Sequence, residues 1–232
     1  MIYRFFKRFF DIVLSLIAIP FVLLVILVVG PIIFFTDRGP IFYNAPRLGR
    51  NGNVFKMYKL RSMKVNAPNI LNADGSTYNG VDDPRVTKIG RFIRKTSIDE
   101  LPQFFNVLKG DMSFIGPRAH LTTNYKGYEQ LDEVRKKRLA VRPGITGYNQ
   151  AYFRNSVSSE EKLKNDVYYV DHISLWLDIK IVFKTVATVL RRKNIYVTEA
   201  SSKHQEKQDV QPGSENSTEA NVQTESIEVC KK

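Results

Sequence analysis

The densest chemistry in the sequence lies between Asp82 and Arg118, which reads DDPRVTKIGRFIRKTSIDELPQFFNVLKGDMSFIGPR. Two adjacent carboxylates, Asp99 and Glu100, stand at its centre. Arg85, Lys88, Arg91, Arg94 and Lys95 precede them, and Arg118 follows after Gly116-Pro117. Adjacent carboxylates suit Mg²⁺, a hard cation that takes oxygen ligands and often shares them with substrate phosphates. A carboxylate can also attack phosphorus and form an acyl phosphate. Arginine matches phosphate oxygens in bidentate pairs, and a helix N-terminus offers free N–H groups to the same oxygens. Acids that hold a metal or attack, beside cations that hold a diphosphate, are what phosphoryl transfer needs. A purely structural account is open too. Ser97 followed three residues later by Glu100 spells a capping box, acids suit a first helical turn, and any one arginine can be a solvated surface charge.

Composition narrows the partners. The chain has 232 residues and a formal charge of +12, from 35 Lys and Arg against 23 Asp and Glu. A chain this basic expects an anionic partner: nucleic acid, anionic lipid or a phosphorylated substrate. One cysteine, Cys230, excludes an internal disulfide framework. His120, His172 and His204 are scattered and form no His-rich zinc motif.

The elements that must position the acids begin with an apolar segment. Ile12 to Thr36 runs 25 residues without a charge, enough for a straight helix to exceed a hydrocarbon core of roughly 30 Å. It is too long for a signal-peptide core or an ordinary buried helix, and no small-residue cleavage site follows it. Arg4, Lys7 and Arg8 precede the run, while Arg38, Arg47, Arg50, Lys56, Lys59, Arg61 and Lys64 follow it. Lys and Arg are retained on the cytoplasmic side, so both ends want that side. A re-entrant hairpin satisfies this, with its break at Pro20. Ser15, about one turn earlier, is expected to bond a backbone carbonyl there. A kinked helix crossing once is the competing topology, since membrane helices tolerate proline.

Short strands are expected at Ile41–Tyr43 and Val54–Lys59 around a Gly49–Gly52 turn. Residues 64–84 read as a long loop. Helices are expected over Ser97–Leu108, Leu121–Leu139, Ser158–Tyr169 and Leu175–Arg192. Basic and apolar residues together around Phe92–Phe105 suggest a helix lying in the membrane plane. The segment 199–232 is polar, carries seven acids and four bases, and reads as disordered. The body therefore carries about +15 by the same charge count. The expected organisation is a re-entrant membrane helix over 1–36, a catalytic domain over 37–198 and a polar tail over 199–232. The fold class is α/β and helix-rich: a helix-break-helix in the membrane, then a small cytoplasmic α/β domain with interfacial amphipathic helices.

An ordered set of short motifs resembles the bacterial sugar transferases, the small monotopic polyprenyl-phosphate phosphoglycosyl transferases. In order they are Lys7-Arg8-Phe9-Phe10-Asp11, Gly30-Pro31, Arg47-x-Gly49-x-x-Gly52, Lys59-Leu60-Arg61-Ser62-Met63 and Ser97-Ile98-Asp99-Glu100-Leu101-Pro102-Gln103. Asn106-Val107-Leu108-x-Gly110-Asp111-Met112-Ser113, Gly116-Pro117-Arg118, Arg142-Pro143-Gly144-Ile145-Thr146-Gly147, Asp166-x-Tyr168-Tyr169 and Asp178-Ile179-Lys180 complete them. The resemblance covers roughly Lys7 to Arg192. The sequence departs from the family's usual residues at Ala45, Ala119, Tyr148-Asn149 and Tyr152-Phe153.

That resemblance implies a two-step reaction. Asp99 would attack the β-phosphate of a UDP-sugar and expel UMP. The phosphosugar on Asp99 would then pass to a polyprenyl (undecaprenyl) phosphate in the bilayer, starting a surface polysaccharide or glycoconjugate. Glu100, with Asp99, would hold Mg²⁺ as the cofactor. Lys59, Arg61, Arg94, Arg118, Arg142 and Arg154 are candidates to hold phosphates, with Asp166 a further polar candidate. The resemblance also favours the re-entrant hairpin with its break at Pro20. It places the protein in the bacterial inner membrane with its catalytic domain cytoplasmic, supplying downstream glycosyltransferases. Larger relatives carry a multi-span domain ahead of this region, for which the sequence is expected to have no room. Members this short resemble those using N-acetylated amino sugars.

Two other classes compete. A membrane-tethered nucleic-acid binder would use the basic body, including Arg135-Lys136-Lys137-Arg138, but no stacking motif, finger or RNA-binding signature is present, so no nucleic-acid partner is expected. A non-catalytic membrane scaffold is opposed by the intact Asp99-Glu100 pair.

Overall fold

The computed structural model describes residues 2–191 apart from 69, 71–77, 79, 81, 123–124 and 155. The 199–232 tail and part of the 64–84 loop lie outside the described residues. The fold is helix-rich α/β, as expected from the sequence.

The first helix, α1 (Ile2–Asp37), is long and apolar enough to cross a membrane by length and composition. Its helical assignment continues through Pro20 and Pro31. Pro20 has no N–H to offer the Leu16 carbonyl. The bond expected from Ser15 is not made: its Oγ is buried without a partner. Asp11, Ser15, Val22, Val29 and Ile33 form one buried stripe along the helix. Phe5, Phe9, Ile17, Phe21, Leu24, Leu27 and Phe35 are exposed.

Both ends of α1 are tied to the same body. Near its start, Arg8 donates to carbonyls in the last turn of α3 (Gln103–Lys109), Val107 O at 2.6 Å and Leu108 O at 3.0 Å. Asp11 accepts from Ser113 Oγ and Phe114 N, while Tyr3 and Lys7 both donate to Asp178. Near its end, Asp37 takes a bidentate pair from Arg61 at 2.6 and 2.7 Å. Val29 and Ile33 pack there with buried Leu60 and Ile93.

Strand β1 (Ala45–Leu48) pairs antiparallel with β2 (Val54–Met57) on one side and with β4 (His120–Leu121) on the other. The strand expected at Ile41–Tyr43 is only an isolated bridge between Phe42 and Leu60. β2 ends at Met57, although Tyr43 N still donates to Lys59 O at 2.9 Å, and Tyr58 N donates to Asn106 Oδ1 at 2.8 Å. In the turn between β1 and β2, Gly52 has φ +75°, and a Cβ there would meet Tyr125 Oη at 2.3 Å. A second sheet pairs β3 (Ser113–Ile115) parallel with β5 (Gly144–Thr146).

The helix expected over Ser97–Leu108 is divided. α2 (Lys88–Thr96) is capped by Thr87 Oγ1, which accepts from Gly90 N, and stops at Ser97 in the left-handed region, φ 59°. A 3₁₀ turn over Ile98–Glu100 follows, then α3 (Gln103–Lys109) after Pro102. Ser97 makes no side-chain cap, so the capping box spelled by Ser97 and Glu100 does not form. The real capping box joins Ser158 and Glu161 at the start of α6 (Ser159–Asp171). The helix expected over Leu121–Leu139 reduces to a 3₁₀ turn at Tyr128–Gln130 and α4 (Glu133–Arg138). Gly127 at φ 140° breaks the run, and the Asp132 side chain caps Arg135 N. Helices α5 (Tyr148–Tyr152) and α7 (Leu175–Arg191) complete the body. Tyr169 and Ile181 are buried between α6, α7 and β3, and removing Ile181 from water contributes about 1.5–3 kcal/mol.

Candidate active site

The acids sit on the short 3₁₀ turn between α2 and α3. Its placement follows from local chain chemistry: Ser97 turns the chain by adopting the left-handed conformation, and Pro102 prevents the turn from joining α3 as one helix. Leu60 N donates to Asp99 O at 3.0 Å and so brings the Lys59-Leu60-Arg61 segment alongside. Leu60, fully buried under α1, anchors that segment.

Lys59 Nζ then lies 2.8 Å from Asp99 Oδ2 and 3.4 Å from Glu100 Oε1. Arg118 Nη2 donates to Glu100 Oε1 at 2.8 Å. Asp99 is 2 % exposed. Burial pushes its carboxyl above the ordinary range; the Lys59 ammonium opposes this, and the Glu100 charge adds to it. Burial alone would raise Glu100 as well, but Arg118 and Lys59 outweigh it and hold Glu100 well below the usual range. Two neighbouring acids are thus driven in opposite directions, the pattern that separates roles in a catalytic pair.

Cations crowd this pair beyond what it neutralises. Arg94 donates to Ser62 Oγ at 2.8 Å and adds positive potential at Asp99. Arg154, in the left-handed region at φ 53°, is within electrostatic reach of Glu100 and Arg118. Arg47, on β1, was not singled out from the sequence as a phosphate holder. Its Nη1 is buried without a hydrogen-bond partner. Burial and the nearby Arg118 both lower its pKa. Arg47, Gln103, Met112 and Arg118 help line a cavity of about 260 Å³, counted with its open mouth. The signal that could have found Arg47 is its place in Arg47-x-Gly49-x-x-Gly52, one residue from buried Leu48 on a paired strand.

Lys59, Arg94, Arg118 and Arg154 therefore gather around Asp99 and Glu100. The other sequence candidates stand elsewhere. Arg61 is spent on Asp37. Asp166 forms a buried pair with Arg138 at 2.7 Å, and Arg138 Nη2 in turn donates to Arg118 O at 2.7 Å. Asp166 thereby supports the backbone that presents Arg118. Arg142 donates through Nε to Gly110 O, beside Arg8 and Arg50. Pro20 lies on the exposed side of α1.

Asp99 Oδ1 and Glu100 Oε2 have no protein partner among the described residues. One free oxygen on each acid fits Mg²⁺ shared with substrate phosphates and water. Among the described residues no group of three or more His, Cys, Asp or Glu assembles into an all-protein metal cage.

A family model described as bacterial sugar transferase matches residues 2–192. The chain is 44 % identical over 192 residues to "Galactosyl transferase CpsE" of Streptococcus agalactiae, covering 79 % of this chain and 42 % of that protein. It is 40 % identical over 188 residues to "UDP-glucose:undecaprenyl-phosphate glucose-1-phosphate transferase" of Escherichia coli, covering 79 % and 40 %. It is 36 % identical over 201 residues to "Exopolysaccharide production protein ExoY" of Sinorhizobium fredii, covering 82 % and 88 %. The chain thus spans about two fifths of the length of the first two relatives and most of the third.

Proposed function

The chain belongs to the bacterial sugar transferase family, and on that footing we propose that it moves a sugar-1-phosphate from a UDP-sugar to polyprenyl phosphate. The observation that carries this reading is a buried carboxylate, Asp99, clamped by Lys59 beside an ionised Glu100, with Arg47, Arg94, Arg118 and Arg154 crowded around them. The excess of cations over the two acids is what an incoming diphosphate would relieve.

In the first step an Asp99 carboxylate oxygen bonds to the β-phosphorus. The bond to the bridging oxygen breaks, and UMP leaves with the electron pair. In the second step an oxygen of the acceptor phosphate bonds to the same phosphorus, and the acyl-phosphate bond breaks. The Asp99 carboxylate returns, and the product is a polyprenyl-diphospho-sugar. Burial keeps water from competing for the acyl phosphate. Lys59 orients Asp99, while Arg118 keeps Glu100 ionised. Asp99 and Glu100 would hold Mg²⁺, which neutralises phosphate charge so that an anionic nucleophile can approach.

The membrane reading rests on α1. A helix that crossed a bilayer would separate Asp11 from Asp37 by the hydrocarbon, yet both side chains dock on one polar body. That favours a re-entrant α1, bent at Pro20, with both ends on the cytoplasmic side of the inner membrane. The exposed face of α7, with Leu175, Trp176, Ile179, Phe183 and Val186, suits the interface. The acceptor phosphate then meets Asp99 without its tail leaving the bilayer. The product would pass to downstream glycosyltransferases that build a surface glycan. Relatives differ in the sugar their names specify, galactosyl in one and glucose in another, and direct assay identifies the sugar used by this chain.

The test is incubation of the purified chain with a panel of UDP-sugars, Mg²⁺ and polyprenyl phosphate. UMP release with at least one sugar is expected. No release with any of them overturns the reading.

A further inference from the structure

A second basic cavity lies apart from the acids, at the start of α1. It measures about 460 Å³ with its open mouth. Arg4, Lys7, Arg8, Arg50 and Arg142 line it, with Asp11 as the acid among its lining residues. It shares no lining residue with the cavity beside Glu100.

The charge in this cavity is only partly answered by protein. Lys7 is paired with Asp178 at 2.5 Å, and Asp11 already accepts from Ser113 and Phe114. Arg8 is spent on the carbonyls that end α3. Arg142 uses Nε on Gly110 O, which leaves its two terminal nitrogens without a protein partner among the described residues. Arg50 is exposed, and its side chain makes no ion pair or hydrogen bond to protein among the described residues. Arg8 and Arg50 both push positive potential onto Arg142. Three guanidiniums that share only Asp11 as a nearby acid keep an excess of positive charge and form a receptor for an anion with several oxygens.

The walls and surroundings say what carries that anion. Ile115, Val141 and Ile173 make part of the lining apolar. Phe5, Phe6, Phe9 and Phe10 of α1 are exposed beside it. Asp178, bonded to Tyr3 and Lys7, draws the start of α7 to the same place, with Leu175 and Trp176 exposed. A basic cavity bracketed by exposed aromatic side chains at the foot of an apolar helix has the make-up of a headgroup site at a membrane interface.

We propose that the cavity formed by Arg4, Arg8, Arg50 and Arg142 is a second anion site, which holds the phosphate of an anionic membrane lipid where α1 enters the bilayer. It goes beyond the transferase reading and does not depend on it. The bound lipid ties the start of α1, the β1–β2 turn and the segment before β5 to the membrane surface.

Native mass spectrometry of the full chain released from neutral detergent, with phosphatidylglycerol or phosphatidylcholine added, tests this. One phosphatidylglycerol per chain is expected to be retained in preference to phosphatidylcholine. Retention should fall about 25- to 30-fold in Arg50→Gln/Arg142→Gln, as expected when two interfacial cations are lost. It should fall also in Arg50→Glu, which changes an exposed side chain and leaves the fold intact. Arg118→Gln, at the other site, should retain the lipid as the wild type does. A competition arm with excess inorganic phosphate separates the sources. Displacement assigns the site to the phosphate group itself, and resistance assigns it to the lipid with its tails. Equal retention by the wild type and both Arg50 variants, loss in Arg118→Gln alone, or no retention by the wild type overturns the proposal.

Discussion

Lys59 Nζ stands 2.8 Å from Asp99 Oδ2 and 3.4 Å from Glu100 Oε1, so one ammonium clamps two neighbouring carboxylates. The clamp opposes the burial that pushes Asp99 upward. Lys59→Met should therefore lower kcat/KM by about 10²-fold, the scale of losing one preorganised electrostatic partner. It should also move the acid limb of the pH–rate profile to higher pH, because Asp99 then loses the cation that favours its charged form. A pH series of UMP release reads both effects. An acid limb that stays in place would show that Lys59 does not act through Asp99.

Asp166 and Arg138 form a buried pair that also holds the Arg118 carbonyl. Asp166→Asn strands the Arg138 charge and should cost about 3 kcal/mol of stability. Below the new transition, activity should fall as Arg118 loses its backbone support. Urea titration followed by assay of the folded fraction checks the two together. A folded variant with full activity would leave Asp166 with a stability role alone.

The buried Asp83–Arg85 pair has a pH signature. The Arg85 guanidinium, by its hydrogen bond, holds Asp83 below the ordinary carboxylate range. Its contribution is therefore present above the unfolded pKa of about 3.9 and is lost as pH falls through the depressed value. Thermal melts at decreasing pH should show a steeper acid loss in the wild type than in Asp83→Asn. Parallel curves would contradict the assignment.

The two ends of α1 should share one side of the membrane. Cysteines placed one at a time at Arg4 and Arg47, in a Cys230→Ser background, should both react only with a reagent that reaches the cytoplasm. Labelling from opposite sides would restore a single crossing.

Much of the site was legible because its parts are contiguous. Asp99 and Glu100 are adjacent, and Lys59 lies in a short motif that buried Leu60 pins beside them. What was not legible depends on packing between distant segments. Arg47 gains its meaning only when β1 turns its Nη1 inward toward Arg118. Arg142 looks like another phosphate holder by motif, but the approach of Arg8 and Arg50 gives it different company. Helix boundaries misled where local and tertiary preferences conflict. Ser97 spells a cap yet serves as a left-handed turn, and Gly127 interrupts a charged run that pattern alone reads as helix. The parallel pairing of β3 with β5 joins two three-residue strands separated by many residues, too short to carry a period of their own.

The central claim is that Asp99 carries the phosphosugar between the two steps. Incubating the chain with its UDP-sugar and Mg²⁺ in the absence of polyprenyl phosphate, then quenching and mapping peptides by mass spectrometry, tests it most directly. The account predicts one sugar-phosphate on the peptide containing Asp99, its discharge when acceptor is added, and no adduct in Asp99→Asn. Steady UMP release with acceptor while that peptide stays unmodified at every time point would contradict it.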